Sequence, residues 1–170
     1  MRVPKFPVVA VLGGASVLTL GLALHIRLNL TASLPLGLYI GTDQPTDYVA
    51  FCLGGELEKI ALARQYITPG HCPGGGTPLL KPIAARPGDE VTYSPAGIAV
   101  NGLLLPNTAP RLSDSTGKPL ATYPFGTSIV PHGTFWLASS YDARSYDARY
   151  YGPIPASSIR MHLRPLWVSR

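Results

Sequence analysis

The sequence predicts a mainly β protein: an antiparallel β domain with one short helical insert, preceded by a single N-terminal transmembrane helix. Three observations carry this. The chain opens on its only membrane-length apolar run. Glycine and proline number 18 each in 170 residues, above their usual share, which favours many turns over a helical bundle. The remainder breaks into short runs rich in β-branched and aromatic residues, bounded by turn signals. A chain of this length holds an anchor and one compact domain, divided here as residues 1–28 and 29–170.

The anchor comes first. From Phe6 to Ile26 the only residue able to carry charge is His25. As a helix this run spans about 31 Å, matching a bilayer core of roughly 30 Å. Arg2 and Lys5 precede it, so the N-terminus is expected in the cytoplasm and the rest beyond the membrane, although Arg27 weakens the bias. A cleaved signal peptide shares the basic start, but this core is long and no Ala-x-Ala site follows.

Strands are expected at Gly37–Gly41 and Asp47–Leu53, joined by the Gln44-Pro45 turn. A helix follows at Gly55–Ile67, where Leu53, Leu57, Ile60 and Ile67 recur at helical spacing. The Gly/Pro-rich loop His71–Pro78 leads to a strand at Leu79–Ala85, stopped by Pro87-Gly88-Asp89. Glu90–Ser94 and Gly97–Leu105 come next, the latter holding Asn101-Gly102, a tight-hairpin signal. Pro106–Thr127 is polar and irregular and reads as a flap. Thr134–Ser139 and Ser158–Val168 are the closing strands. The only repeat is Tyr141-Asp-Ala-Arg144 followed, after Ser145, by Tyr146-Asp-Ala-Arg149.

The net charge of +5 is spread thinly, with arginines near the C-terminus and no basic run interleaved with aromatics, so no nucleic-acid partner is expected. Anionic lipid headgroups at an inner membrane are the more natural counterpart, and a merely solvated surface is the plainer reading that outweighs it. Cys52 and Cys72 flank the helical insert. In an oxidising compartment a bridge between them would stabilise by about 3 kcal/mol. Free thiols are one alternative. Metal ligation with His71 and His132 is another, but adjacent His71 and Cys72 would struggle to face one ion and no CxxC spacing exists. No metal and no cofactor are expected.

Chemistry concentrates on two residues. Ser33 lies a few residues beyond the apolar run, constrained by Pro35 and Gly37. Its hydroxyl needs a base. His25, His71, His132 and His162 carry no recognisable motif for a Ser-His-Asp arrangement. Lys81 has apolar neighbours on every side: Leu79, Leu80, Pro82, Ile83, Ala84 and Ala85. Burial disfavours an ammonium, leaving a neutral amine able to take a serine proton.

Ser33-x-Pro-x-Gly-x-Tyr39, the Lys81 strand ending in Pro-Gly-Asp, and Ser145-Tyr-Asp-Ala-Arg-Tyr-Tyr-Gly152 occur in that order behind an anchor. In this the chain resembles the signal peptidase I superfamily. The Pro-x-Gly-Leu-Tyr form and the cysteine-flanked insert leading into Pro-Leu-Leu-Lys look most like the conjugative transfer peptidases of the TraF type. The resemblance implies a signal-peptidase-like fold and a Ser33–Lys81 dyad. It implies an oxyanion hole from the Ser33 N–H and Thr31, with Ser145 orienting the lysine and Asp147 and Arg149 as a supporting pair. Ala148 stands where relatives commonly have serine, and the tandem repeat leaves two copies to choose between. Leu34, Leu36 and Ile83 are expected to shape substrate pockets.

The function so implied is that of a single-pass, membrane-anchored serine endopeptidase whose domain faces the periplasm of a bacterial inner membrane. Its substrate would be a membrane-inserted pilin precursor, trimmed and then released or cyclised, with mating-pair or type IV secretion components as further partners. A general signal peptidase acting on signal-peptide-bearing proteins and a non-catalytic anchored assembly factor are the competing readings.

Overall fold

The computed structural model describes residues 26–169. The expected anchor helix lies outside the described residues, and among those described no helix is long and apolar enough to cross a membrane. Ile26–Leu28, counted with the anchor in the sequence division, run as a strand: β1 is Ile26–Asn29, paired antiparallel with β2, Gly37–Thr42.

The remaining strands are β3 (Tyr48–Phe51), β4 (Leu79–Ala85), β5 (Glu90–Ser94), β6 (Gly97–Val100), β7 (Leu103–Leu104), β8 (Gly126–Ile129), β9 (Thr134–Leu137), β10 (Ile154–Pro155) and β11 (Ile159–Val168). They form two antiparallel sheets, ordered β1-β2-β11-β3-β4-β9-β10 and β7-β6-β5-β8. The architecture is thus mainly antiparallel β with a helical insert between β3 and β4, as the composition predicts. The larger sheet is closed non-locally, because the last strand enters between β2 and β3.

Its main core gathers Val49, Phe51, Val91, Ile98, Trp136 and Leu137 between the sheets, while Leu34, Tyr39, Ala50 and Leu163 make a second cluster under β2. Leu34 therefore belongs to the core, and Ile83 packs against the larger cluster.

Local details follow the turn chemistry. Asn101 and Gly102 both adopt positive φ, 50° and 82°, between β6 and β7, as a type I′ hairpin demands. The insert helix, α1, is Gly55–Ala63 and stops short of the expected Ile67. Gln65 turns left-handed at φ 59°, and the Tyr66 N–H reaches back to the Ala61 carbonyl at 2.8 Å, which terminates the helix. A short second helix, α2, spans Ala148–Tyr151 and has no apolar periodicity to announce it. The 106–127 stretch is largely irregular, with β8 beginning at its end.

Cys52 and Cys72 are disulfide-bonded across the insert. Inside the loop, the fully buried Glu58 accepts from the Gly54 N–H at 2.9 Å and the Gly76 N–H at 2.7 Å. This ties the glycine-rich approach to β4 down onto α1.

Candidate active site

β1 and β2 form a hairpin whose connecting loop, residues 30–36, carries Ser33 at its centre. The loop returns into β2 at Gly37, where a Cβ would run into the Trp167 carbonyl of β11 and where φ is +140°. That contact requires the glycine of the Pro-x-Gly segment.

Lys81 enters from β4, opposite Val49 of β3. Its Nζ lies 2.7 Å from Ser33 Oγ and 2.7 Å from Ser145 Oγ, and the two hydroxyls are 3.1 Å apart. All three residues are buried, Lys81 at 3% exposure. Burial lowers the Lys81 pKa from 10.5 to about 8, and the Asp147 carboxylate partly opposes this. As a neutral amine Nζ has one lone pair and two hydrogens. It can therefore accept from Ser33 while donating to Ser145.

The second copy of the repeat supplies the support. Asp147 caps α2, accepting from the Arg149 N–H at 3.2 Å, and its other oxygen accepts from the Ser139 N–H at 3.0 Å. The Arg149 guanidinium pairs with Asp147 at 2.8 Å, with both side chains fully buried. It also donates to the carbonyls of Asn107, Ala143 and Ser145, the last at 2.7 Å. The pair thus fixes the Ser145 backbone beside the lysine. The first copy plays a different part: the carbonyls of Asp142 and Ala143 face Arg149, the Asp142 carboxylate slightly opposes the lowering of the Lys81 pKa, and the Tyr141 hydroxyl bonds to that of Tyr48.

Ser33, Thr31 and Lys81 line a cavity of about 520 Å³. Its walls are Leu28, Leu30 and Asn29 from β1 and its loop, Gln65–Thr68 from the insert, Thr77–Lys81 from β4 and the residues leading into it, and Tyr146. β4 pairs with β9 only from Ile83 onward, so Leu79–Lys81 keep one ladder edge open. An extended peptide can pair with such an edge. The expected pocket residues lie elsewhere. Leu34, Leu36 and Ile83 are not on the cavity wall, which takes its apolar surface from Leu28, Leu30, Ile67, Leu79 and Leu80. Leu36 faces solvent instead.

The Tyr66 ring packs on Tyr146 at 4.8 Å between centroids, and its hydroxyl donates to Asp114 at 2.6 Å, linking the insert to the flap. None of the described histidines touches Ser33 by hydrogen bond; His162 accepts from the Thr46 N–H. Two further participants hold the loop, Asn29 with no sequence signal and Tyr39 marked only as the end of the Ser33-x-Pro-x-Gly-x-Tyr motif. Asn29, 3% exposed, bonds several atoms of the Ser33 loop, and the Tyr39 hydroxyl donates to the Pro35 carbonyl at 2.8 Å.

A buried hydroxyl next to a buried amine, at the floor of a cleft with an open strand edge, is equipped for acyl transfer from an extended peptide. The chain belongs to the signal peptidase family, peptidase S26, whose family model matches residues 11–167. It is 37% identical over 173 residues to the plasmid transfer protein TraF of Escherichia coli, covering 97% of this chain and 96% of that one. The probable conjugal transfer protein TraF of Sinorhizobium fredii is 40% identical, covering 78% of this chain and 72% of the relative. The conjugal transfer protein TraF of Agrobacterium fabrum is 37% identical, covering 92% and 89%. Among solved structures, signal peptidase I from Enterococcus faecalis V583 aligns at 21% identity and a TM-score of 0.38, covering 70% of this chain and 96% of that chain.

Proposed function

We propose that this protein is a membrane-anchored serine endopeptidase that processes a pilin-like precursor for conjugation, with Ser33 as nucleophile and Lys81 as base. The observation that carries the reading is the 2.7 Å contact between Lys81 Nζ and Ser33 Oγ in a site whose burial lowers the amine's pKa to about 8, so that the neutral form is accessible just above neutral pH. As Ser33 Oγ attacks the scissile carbonyl carbon, its proton passes to Nζ. The Ser33 N–H takes part in none of the described protein hydrogen bonds and is free to meet the oxyanion. Collapse breaks the C–N bond, Nζ returns the proton to the leaving amine, and an ester on Ser33 remains. Water, deprotonated by Lys81, or the precursor's own α-amine then resolves the ester by hydrolysis or ring closure.

The conjugation role rests on the transfer proteins that the chain resembles over most of its length. The location rests on the apolar run that leads into β1, where Leu28 and Leu30 stand exposed near exposed Leu166 and Trp167 of β11. This rim suits a domain seated on the periplasmic face of an inner membrane, and the disulfide suits an oxidising compartment.

The test is mass spectrometry of a pilin precursor co-expressed with the full chain. The wild type should trim it, and ring closure would show as the loss of one further water. Ser33→Ala and Lys81→Ala should leave it whole. A precursor still intact with the wild-type protein present, or trimmed by either variant, refutes the reading.

A further inference from the structure

We infer that Asn29 is a positioning residue for the nucleophile loop, and that it acts by holding the Thr31 hydroxyl in a resting orientation from which a substrate oxyanion recruits it. This rests on the Ser33–Lys81 reading and on the Thr31 oxyanion hydroxyl that the family resemblance implies; what is new is the part given to Asn29. Asn29 is the last residue of β1 and is 3% exposed. Its Nδ2 donates to the carbonyls of Thr31 at 2.8 Å, Leu34 at 3.1 Å and Pro35 at 3.1 Å. Its Oδ1 accepts from the Thr31 N–H at 3.2 Å and the Thr31 hydroxyl at 2.9 Å.

These partners settle which end of the amide is which. Carbonyl oxygens only accept and a backbone N–H only donates, so flipping the amide would break every bond to the backbone. Oδ1 cannot donate, so the Thr31 hydroxyl must give its proton to Asn29. One buried side chain thereby encircles Ser33, gripping the loop two residues before it and at both residues after it.

Thr31 faces the cavity and is otherwise exposed. An exposed threonine hydroxyl would sample several rotamers and water partners. Bonded to Asn29 it occupies one, with its oxygen fixed on the cavity wall. A neutral amide is a weaker acceptor than an oxyanion, so developing negative charge on the substrate outcompetes Oδ1 for this proton. Such a donor is held in the ground state and engaged in the transition state, the condition for accelerating the chemical step rather than for tightening binding.

The test uses the full chain in detergent with p-nitrophenyl acetate, following acetylation of Ser33 by peptide mass mapping across pH. Here Ser33 Oγ displaces p-nitrophenolate and its proton goes to Lys81. Asn29→Ala and Thr31→Val should each lower the plateau rate by about 10²-fold. Thr31→Ser, which keeps the hydroxyl, should restore most of it. The two losses should be less than multiplicative when combined, because both act through one donor. The pH midpoint, set by Lys81, should stay near 8 in every variant.

Because Thr31 is exposed, Thr31→Val keeps the test alive even where Asn29→Ala folds poorly. A plateau within about twofold of wild type, a fully multiplicative double variant, or a midpoint that climbs toward that of ordinary lysine would each overturn the inference. The last would mean that Asn29 merely keeps the site dry. Absence of Ser33 acetylation in the wild type would take down the dyad reading and this inference together.

Discussion

Replacing Lys81 by methionine should make the protein inactive yet more stable at neutral pH, and less stable than wild type at high pH. Burial holds the Lys81 pKa at about 8 in the folded protein against 10.5 for an ordinary lysine. Below pH 8 the group is protonated in both states, and the folded state carries the cost of a buried ammonium. That difference corresponds to about 3 kcal/mol. Between pH 8 and 10.5 the folded protein has released the proton while the unfolded chain still binds it, so wild-type stability rises with pH across this window. By pH 10 the remaining cost is only about 1 kcal/mol.

Methionine fills similar space and has no such slope. It forfeits the hydrogen bonds to Ser33 and Ser145, at about 1 kcal/mol each and independent of pH. Lys81→Met should then exceed wild type by about 1 kcal/mol at pH 7 and fall below it by a similar amount at pH 10. Urea denaturation in detergent, followed by fluorescence of the buried Trp136, measures both. A gap that stays constant between pH 7 and pH 10 would show that the lysine is not desolvated, and the argument for a neutral base would fail with it.

The same group governs rate: kcat should rise with pH to a plateau with its midpoint near 8, and Lys81→Arg should be inactive throughout because a guanidinium stays charged. A flat profile between pH 6 and 9, roughly the span over which such a lysine titrates, would remove Lys81 as the base. Asp147→Asn leaves the fully buried Arg149 without its counter-charge, and thermal unfolding should register a loss of about 3–5 kcal/mol. Replacing Cys52 and Cys72 together by serine opens a bridge of sequence separation 20 and should lower stability by about 3 kcal/mol. The pH midpoint of Ser33 acylation should not move; if it does, the disulfide is shaping the dyad and not only the insert.

Local chemistry made much of the fold legible. Asn101-Gly102 marks its own hairpin because few residue pairs tolerate positive φ at both positions, and β4 is bracketed by a proline-rich loop and Pro-Gly-Asp. The insertion of β11 between β2 and β3 pairs residues more than a hundred positions apart, and no local pattern encodes it. Within the site, Lys81 was readable because apolar neighbours on both sides leave a lysine no wet face. Its companion Ser145 was readable only through resemblance. Asn29 was not readable at all, since its partners are largely backbone atoms, which every sequence has. The end of α1 was missed because Gln65, not glycine, takes the left-handed turn.

The disulfide at the base of the insert has a consequence for how such enzymes diversify. Cys52 and Cys72 pin both ends of a segment that supplies one wall of the cleft, while Ser33, Lys81 and Ser145 all lie outside it. Residues 53–71 thus form a covalently closed cassette whose buried members, Leu53, Glu58, Ala61 and Ile67, tie it to the core and to the approach to β4, while Gln65 and Thr68 are free to vary on the cleft side. Exchanging this cassette between two relatives should carry cleavage-site preference with it and leave the acylation chemistry to the host. A chimera that kept its host's preference would place selectivity on the β1 and β4 walls instead.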